Sequence, residues 1–96
     1  MKIDFQNNGN HLNLRLDGRL DTVTAPELES FLKEHGANAN SLTIDCQSLA
    51  YVSSAGLRVL LAAQKKFKNS MKLKNVGELV MEVFEMTGFA DILVIE

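Results

Sequence analysis

The segment Tyr51-Val52-Ser53-Ser54-Ala55-Gly56-Leu57 places two adjacent hydroxyls where a loop after a strand turns into a helix. Serine at such a boundary has two uses. It caps the helix by accepting a hydrogen bond from an unpaired backbone N–H. Alternatively it carries a phosphoryl group, which the free N–H groups and the positive end of the helix dipole can hold without unfolding the domain. A phosphate there adds about -1.5 to -2 charge units beside whatever acidic residues border it. Gly56 has no side chain to obstruct a partner or a phosphate. On the residues alone both uses stay open.

Other chemistry is sparse. His11 and His35 fall at a hairpin edge and a helix end, away from any Cys or Asp at ligand spacing. They read as solvated imidazoles, with His35 suited to the helix C-terminal dipole. Cys46 alternates in phase with Leu42 and Ile44, which marks a buried, inert thiol. There is no glycine-rich phosphate loop and no Gly-x-Ser-x-Gly elbow. Asp17, Asp21 and Asp45 lie at or near strand ends, where parallel sheets place their sites, and three carboxylates with waters can hold Mg²⁺. No fourth group converges on them, so Asp17 and Asp45 read as wet-face residues and Asp21 as a turn former. Neither a catalytic residue nor a metal or cofactor is expected. Half of the ten cations, Lys65, Lys66, Lys68, Lys72 and Lys74, crowd one stretch. The first three offset a helix dipole and the last two face outward from a strand, so the run reads as a solvated face.

Periodicity supplies the elements that must position the serines. Ile3 and Phe5 alternate with polar residues, as do Leu12, Leu14 and Leu16, giving two half-buried strands. Asn7-Asn8-Gly9-Asn10 between them is a hairpin turn. Thr24 and Glu27 have capping-box spacing ahead of Leu28, Phe31 and Leu32, with Pro26 in the first turn and Gly36 as the stop. Leu42 to Cys46 is a short strand. A helix from Ser53 or Ser54 to about Asn69 buries Leu57, Leu60, Leu61 and Phe67. Met71, Leu73 and Val76 form a strand. Asn75 and Glu78 cap a helix that buries Leu79, Val80, Val83 and Phe84 and ends at Gly88, and Ile92 to Ile95 closes the fold. The order is β-β-α-β-α-β-α-β, with right-handed crossovers after the hairpin. It predicts an α/β fold: a mixed, mostly parallel five-stranded sheet with an antiparallel N-terminal hairpin and helices mainly on one face.

Bulk properties bound the partners. The 96 residues suffice for one domain, residues 1–96, and 46% apolar with 23% charged residues is ordinary for a globular chain. A formal charge of -2 provides no cationic field for nucleic acid. No apolar run approaches the roughly 18–20 residues of a membrane span, and Asp4 interrupts the place where a signal peptide needs its apolar core. One cysteine excludes an internal disulfide. A reduced, cytoplasmic setting is expected.

The chain resembles the STAS domains of bacterial anti-sigma factor antagonists. The residues that carry the likeness are Gly18-Arg19-Leu20-Asp21 with Ala25 and Leu28, then Leu42-Thr43-Ile44-Asp45, Ser53-Ser54-Ala55-Gly56-Leu57 and Phe84-Glu85-Met86-Thr87-Gly88. The resemblance implies partner switching. In such proteins the unphosphorylated antagonist binds an anti-sigma factor that is also a serine kinase of the histidine-kinase-like ATPase class, releasing the sigma factor. Phosphorylation ends the interaction, and a serine phosphatase resets it. By motif position Ser54 matches the phosphoacceptor, Asp21 the nearby acidic residue, and Gly56 and Leu57 the helix entry, so Asp21 and Ser53 to Leu57 form the implied partner surface. Ser53 stands where antagonists more often carry Asp and is a second candidate acceptor. The alternative is a STAS interaction subunit of a signalling assembly or lipid transporter whose surface binds without being phosphorylated.

Overall fold

A computed structural model describes residues 1–96. Strands β1 (Lys2–Asn8) and β2 (His11–Leu20) form the antiparallel hairpin, in register from Lys2 opposite Asp17 to Asn8 opposite His11. Its two-residue loop is Gly9-Asn10, and Gly9 alone takes the positive φ, +66°, that a tight hairpin needs. Helix α1 (Ala25–His35) leads to β3 (Ser41–Asp45) and β4 (Leu49–Val52), followed by α2 (Ser54–Phe67), β5 (Met71–Lys74) and α3 (Glu78–Thr87). Both β3 and β4 run parallel to β2, and β5 runs parallel to β3. The expected mixed five-stranded sheet with three helices is therefore present.

The fifth strand differs from the one expected. Leu49–Val52 was not legible because Leu-Ala-Tyr-Val does not alternate: Leu49 and Val52 point inward while Ala50 and Tyr51 both face out. Ile92–Ile95, expected as a closing strand, contributes only one parallel bridge, Ile95 to Leu73, after a 3-10 turn at Phe89–Asp91. The buried amide of Gln64 ties this tail down, its Oε1 accepting from Val94 N at 3.3 Å and its Nε2 donating to the Lys68 carbonyl.

One apolar core fills the space between the sheet and the helices. Leu12, Leu14 and Leu16 from β2, Leu42 and Ile44 from β3, and Met71 and Leu73 from β5 meet Leu28, Leu60, Val80 and Phe84 from the helices. Helical period places Val59 inside and leaves Leu61 half-buried, and α2 stops at Phe67 rather than Asn69. On α3 the expected face is rotated: Val80 and Phe84 are buried, but Leu79 is 70% exposed. Its Asn75–Glu78 cap does not form either. Asn75 sits at φ +56° with its amide 3.1 Å from Asp45 Oδ1, and Gly77 occupies the N-cap.

The opposite face of the sheet is polar. His11 is not free in solvent there: its Nδ1 hydrogen-bonds Ser41 Oγ and its Nε2 lies 3.0 Å from Thr43 Oγ1. His35 is engaged as well, stacked 4.3 Å from Phe31 and 4.6 Å from Phe5. Both imidazoles were expected to be solvated; Ser41 and Thr43 on β3 engage His11, and Phe5 on β1 with Phe31 one turn back on α1 engages His35. No helix is long and apolar enough to cross a membrane.

The orientation of α3 is testable. Phe84→Ala should destabilise the fold by about 3–5 kcal/mol through lost burial and a cavity. Leu79→Ala on the exposed side should change it by no more than about 0.5 kcal/mol. Urea denaturation of the two variants checks this, and equal losses would contradict the observed face.

Candidate functional site

The end of β2 builds the site. Gly18 has φ +113°, and the β2–β4 register shifts between Gly18 and Arg19, so that Gly18 faces Leu49 and Arg19 faces Tyr51. Ala50 is the extra residue. This bulge lets Leu49 and Val52 both point into the core while Tyr51 turns outward beside Arg19. The Arg19 guanidinium lies 4.3 Å from the Tyr51 ring centroid, a cation–π contact, and its Nε is 3.8 Å from Asp21 Oδ2.

Asp21 organises the loop into α1. Its Oδ1 accepts from Val23 N at 3.0 Å and Thr24 N at 3.1 Å. The Thr24 hydroxyl donates to the Arg19 carbonyl at 2.7 Å and accepts from Asp21 N at 2.8 Å. The Thr24–Glu27 capping box is therefore absent, because the threonine hydroxyl is used across the loop rather than on the helix. The Thr24 N–H does most to hold the Asp21 carboxyl below the ordinary carboxylate value. Desolvation opposes it, and the Val23 N–H, the Thr24 hydroxyl and Arg19 lower it further.

The two serines divide their work. Ser53 N donates to the Leu20 carbonyl at 2.9 Å, which draws the start of α2 against the end of β2. Ser53 is the N-cap: its Oγ accepts from Gly56 N at 3.4 Å and its carbonyl accepts from Leu57 N at 2.9 Å. Ser54 is the first helical residue, is exposed, and makes no side-chain hydrogen bond.

Gly56 does a different job from the one expected. It is buried, and a Cβ there would lie 2.6 Å from Leu20 Cγ and 3.0 Å from the Leu20 carbonyl oxygen. The missing side chain admits the end of β2. Leu57 also points into the core, and Ala55 is half-buried. Of the residues expected to form a partner surface, Ser54 is exposed, Asp21, Ser53 and Ala55 are half-buried, and Gly56 and Leu57 are buried.

The remaining candidates lie elsewhere. Partial burial pushes the Asp45 carboxyl up, but the Gln47 N–H, the Asn75 amide, Lys74 and Arg15 outweigh it and lower the value. Asp17 sits exposed on β2, and no three of the His, Cys, Asp and Glu side chains gather to hold a metal. Cys46 is buried, and desolvation, with Asp45 adding, pushes its thiol up to about 12. Lys66 donates to the Gly36 carbonyl at 3.3 Å and Lys72 pairs with Glu96 at 3.8 Å, while Lys65 and Lys68 stand exposed. The Arg19–Tyr51 contact was not legible in the sequence. Its only signal was the outward phase Arg15, Asp17, Arg19 on β2.

The protein family described as "Mlab, STAS domain" matches residues 3–95. The chain belongs to this STAS family. An anti-sigma-B factor antagonist of Bacillus subtilis is 30% identical to the STAS domain over 96 residues, covering 97% of this chain and 88% of that protein. The Listeria monocytogenes protein of the same name is 28% identical, covering 90% of this chain and 79% of its own. Among solved structures, SpoIIAA, an anti-sigma factor antagonist in its unphosphorylated form, superposes with a TM-score of 0.82 at 15% identity, covering 99% and 88% of the two chains. An anti-sigma factor antagonist from Mycobacterium paratuberculosis gives 0.85 at 21% identity, covering 98% and 83%. These likenesses establish that the STAS domain shares their fold.

Three substitutions separate the packing and capping residues of this STAS domain from the exposed one. Gly56→Ala should cost about 1–3 kcal/mol by overpacking and Ser53→Ala about 1 kcal/mol as a lost cap. Ser54→Ala should stay within about 0.5 kcal/mol. Denaturant titration reads all three, and a Ser54 loss equal to that of Ser53 would reverse the assignment of the cap.

The lowered Asp21 value gives a pH signature. The carboxylate stabilises the fold above its unfolded pKa, and this contribution is lost as pH falls through the lower folded value. The stability difference between wild type and Asp21→Ala should be constant near neutrality and close progressively below about pH 4. Thermal melts across pH 2–7 check the sign, and a gap that widens in acid would contradict it.

Proposed function

We propose that this STAS domain is an anti-sigma factor antagonist that works by partner switching, with Ser54 as its phosphoacceptor. The observation that carries the reading is the division of labour at the start of α2. Ser53 holds the cap, and Ser54 stands exposed with a free hydroxyl. A phosphoryl group can therefore be added to Ser54 without dismantling the helix start, where backbone N–H groups and the dipole favour negative charge. The names of the relatives and the existence of SpoIIAA in a phosphorylated form, which superposes with a TM-score of 0.73 at 14% identity, support the same reading.

In this reading the domain presents a surface and leaves chemistry to others. No side chain hydrogen-bonds Ser54 to activate it, so an anti-sigma factor that is also a serine kinase of the histidine-kinase-like ATPase class supplies ATP, Mg²⁺ and the base. The unmodified surface of Arg19, Asp21, Ser53 and Ser54 docks on that kinase in the cytoplasm and frees the sigma factor. A phosphate on Ser54 places a dianion beside Asp21 and under the partner. The cost is the repulsion and desolvation of unpaired interfacial charge, about 2–5 kcal/mol. A serine phosphatase removes the group.

The test is phosphotransfer from ATP by the host's histidine-kinase-like serine kinases onto wild type, Ser53→Ala and Ser54→Ala. Label on the first two and none on the third is expected. Ser54→Asp should bind the cognate kinase about 30-fold more weakly than wild type, at the lower end of that cost. Label that survives Ser54→Ala and disappears with Ser53→Ala would move the acceptor. An absence of label with every such kinase would leave the STAS surface as a docking site that is never modified, as in a signalling-assembly or lipid-transport subunit.

A further inference from the structure

Ser54 and Arg58 are four residues apart on α2 and both are exposed. Residues at that spacing are neighbours on a helix surface, with Cβ atoms about 5–6 Å apart. The order matters, because helical side chains lean toward the N-terminus and cover the turn before their own Cα. A guanidinium at position 58 is thus within reach of position 54. Leu57, three residues from Ser54, is buried, which leaves Arg58 as its exposed neighbour one turn along.

Arg58 is also uncommitted. Arg19 is held by the Tyr51 ring and by Asp21. Arg58 takes part in none of the four ion pairs, and its side chain makes no hydrogen bond. We propose that Arg58 captures the phosphate of phosphorylated Ser54 within the same helix, an inference that rests on the reading of Ser54 as acceptor. The planar guanidinium matches two phosphate oxygens at once. Ser53 does not share this partner: it precedes Arg58 by five residues, off the neighbouring row, and its hydroxyl is turned to Gly56 N. The pair therefore distinguishes the two serines.

The experiment installs phosphoserine at position 54 by genetic encoding, so that no kinase is needed, and follows the phosphate by ³¹P NMR against pH. The second phosphate pKa, about 6 for phosphoserine in general, should lie about 0.3 unit lower with Arg58 than with Arg58→Gln. Arg58→Lys should restore part of the shift, and 1 M NaCl should erase most of it. Asp21, Arg19 and Tyr51, which face the same surface from the neighbouring loop and strand, are common to all the proteins, so their field cancels in the comparison. Phosphoserine at position 53 serves as the control and should not respond to Arg58→Gln. Equal pKa values with and without Arg58, or an equal response at position 53, would overturn the proposal. Failure of Ser54 as acceptor shows separately, as missing kinase label with the ³¹P difference intact.

Discussion

Helix α2 begins hard against the last residue of β2, and the site depends on that approach. The Leu20 carbonyl takes the Ser53 N–H, and Gly56, one turn into the helix, lies where any Cβ would strike Leu20. Glycine inside a helix costs about 1 kcal/mol relative to alanine. Here the cost is offset by close packing of the strand end, the helix start and the fully buried Leu20 and Leu60. Once the contact is made, the rotation of α2 is no longer free. Leu57 and Leu60 must face the core, Ser53 must face its own first turn, and Ser54 and Arg58 must face outward.

The polar groups around that contact are arranged so that the fold does not draw on Ser54. Asp21 and Thr24 satisfy one another and the backbone of their own loop, Arg19 rests on Tyr51, and Ser53 closes the cap. Every buried side-chain nitrogen and oxygen in the molecule has a hydrogen-bond partner. Low-dielectric surroundings make an unmet polar group expensive, so such completeness favours a single stable arrangement. In the proposed function this matters directly, because a surface that must accept a dianion without unfolding cannot also depend on the acceptor hydroxyl for stability.

Period-two alternation in β1, β2 and β3 and the helical stripes of α1 and α2 were legible because each is a local pattern with one wet side. The serine pair was legible for the same reason, as a helix-start signal next to a motif that resembles a known family. Leu49–Val52 was not, since its bulge breaks alternation in four residues, and neither was the rotation of α3, where Leu79 and Val80 are equally apolar and only packing against β4 chooses between them. The capping expectations at Thr24 and Asn75 failed because both side chains found partners on other segments, the Arg19 carbonyl and Asp45.

By itself, then, the chain's sequence determined three helices and four of the five strands in their order, the antiparallel hairpin, the polar far face of the sheet and the placing of two hydroxyls at a helix start. These follow from side-chain period, turn residues and caps, which act over a few residues. Only the tertiary structure decided which serine caps and which stands exposed, that Gly56 packs against Leu20, and that Arg19 lies on Tyr51 while Arg58 makes no ion pair. Each of those outcomes depends on a contact between segments some thirty residues apart or on the rotation such a contact imposes on α2, and no local pattern encodes it.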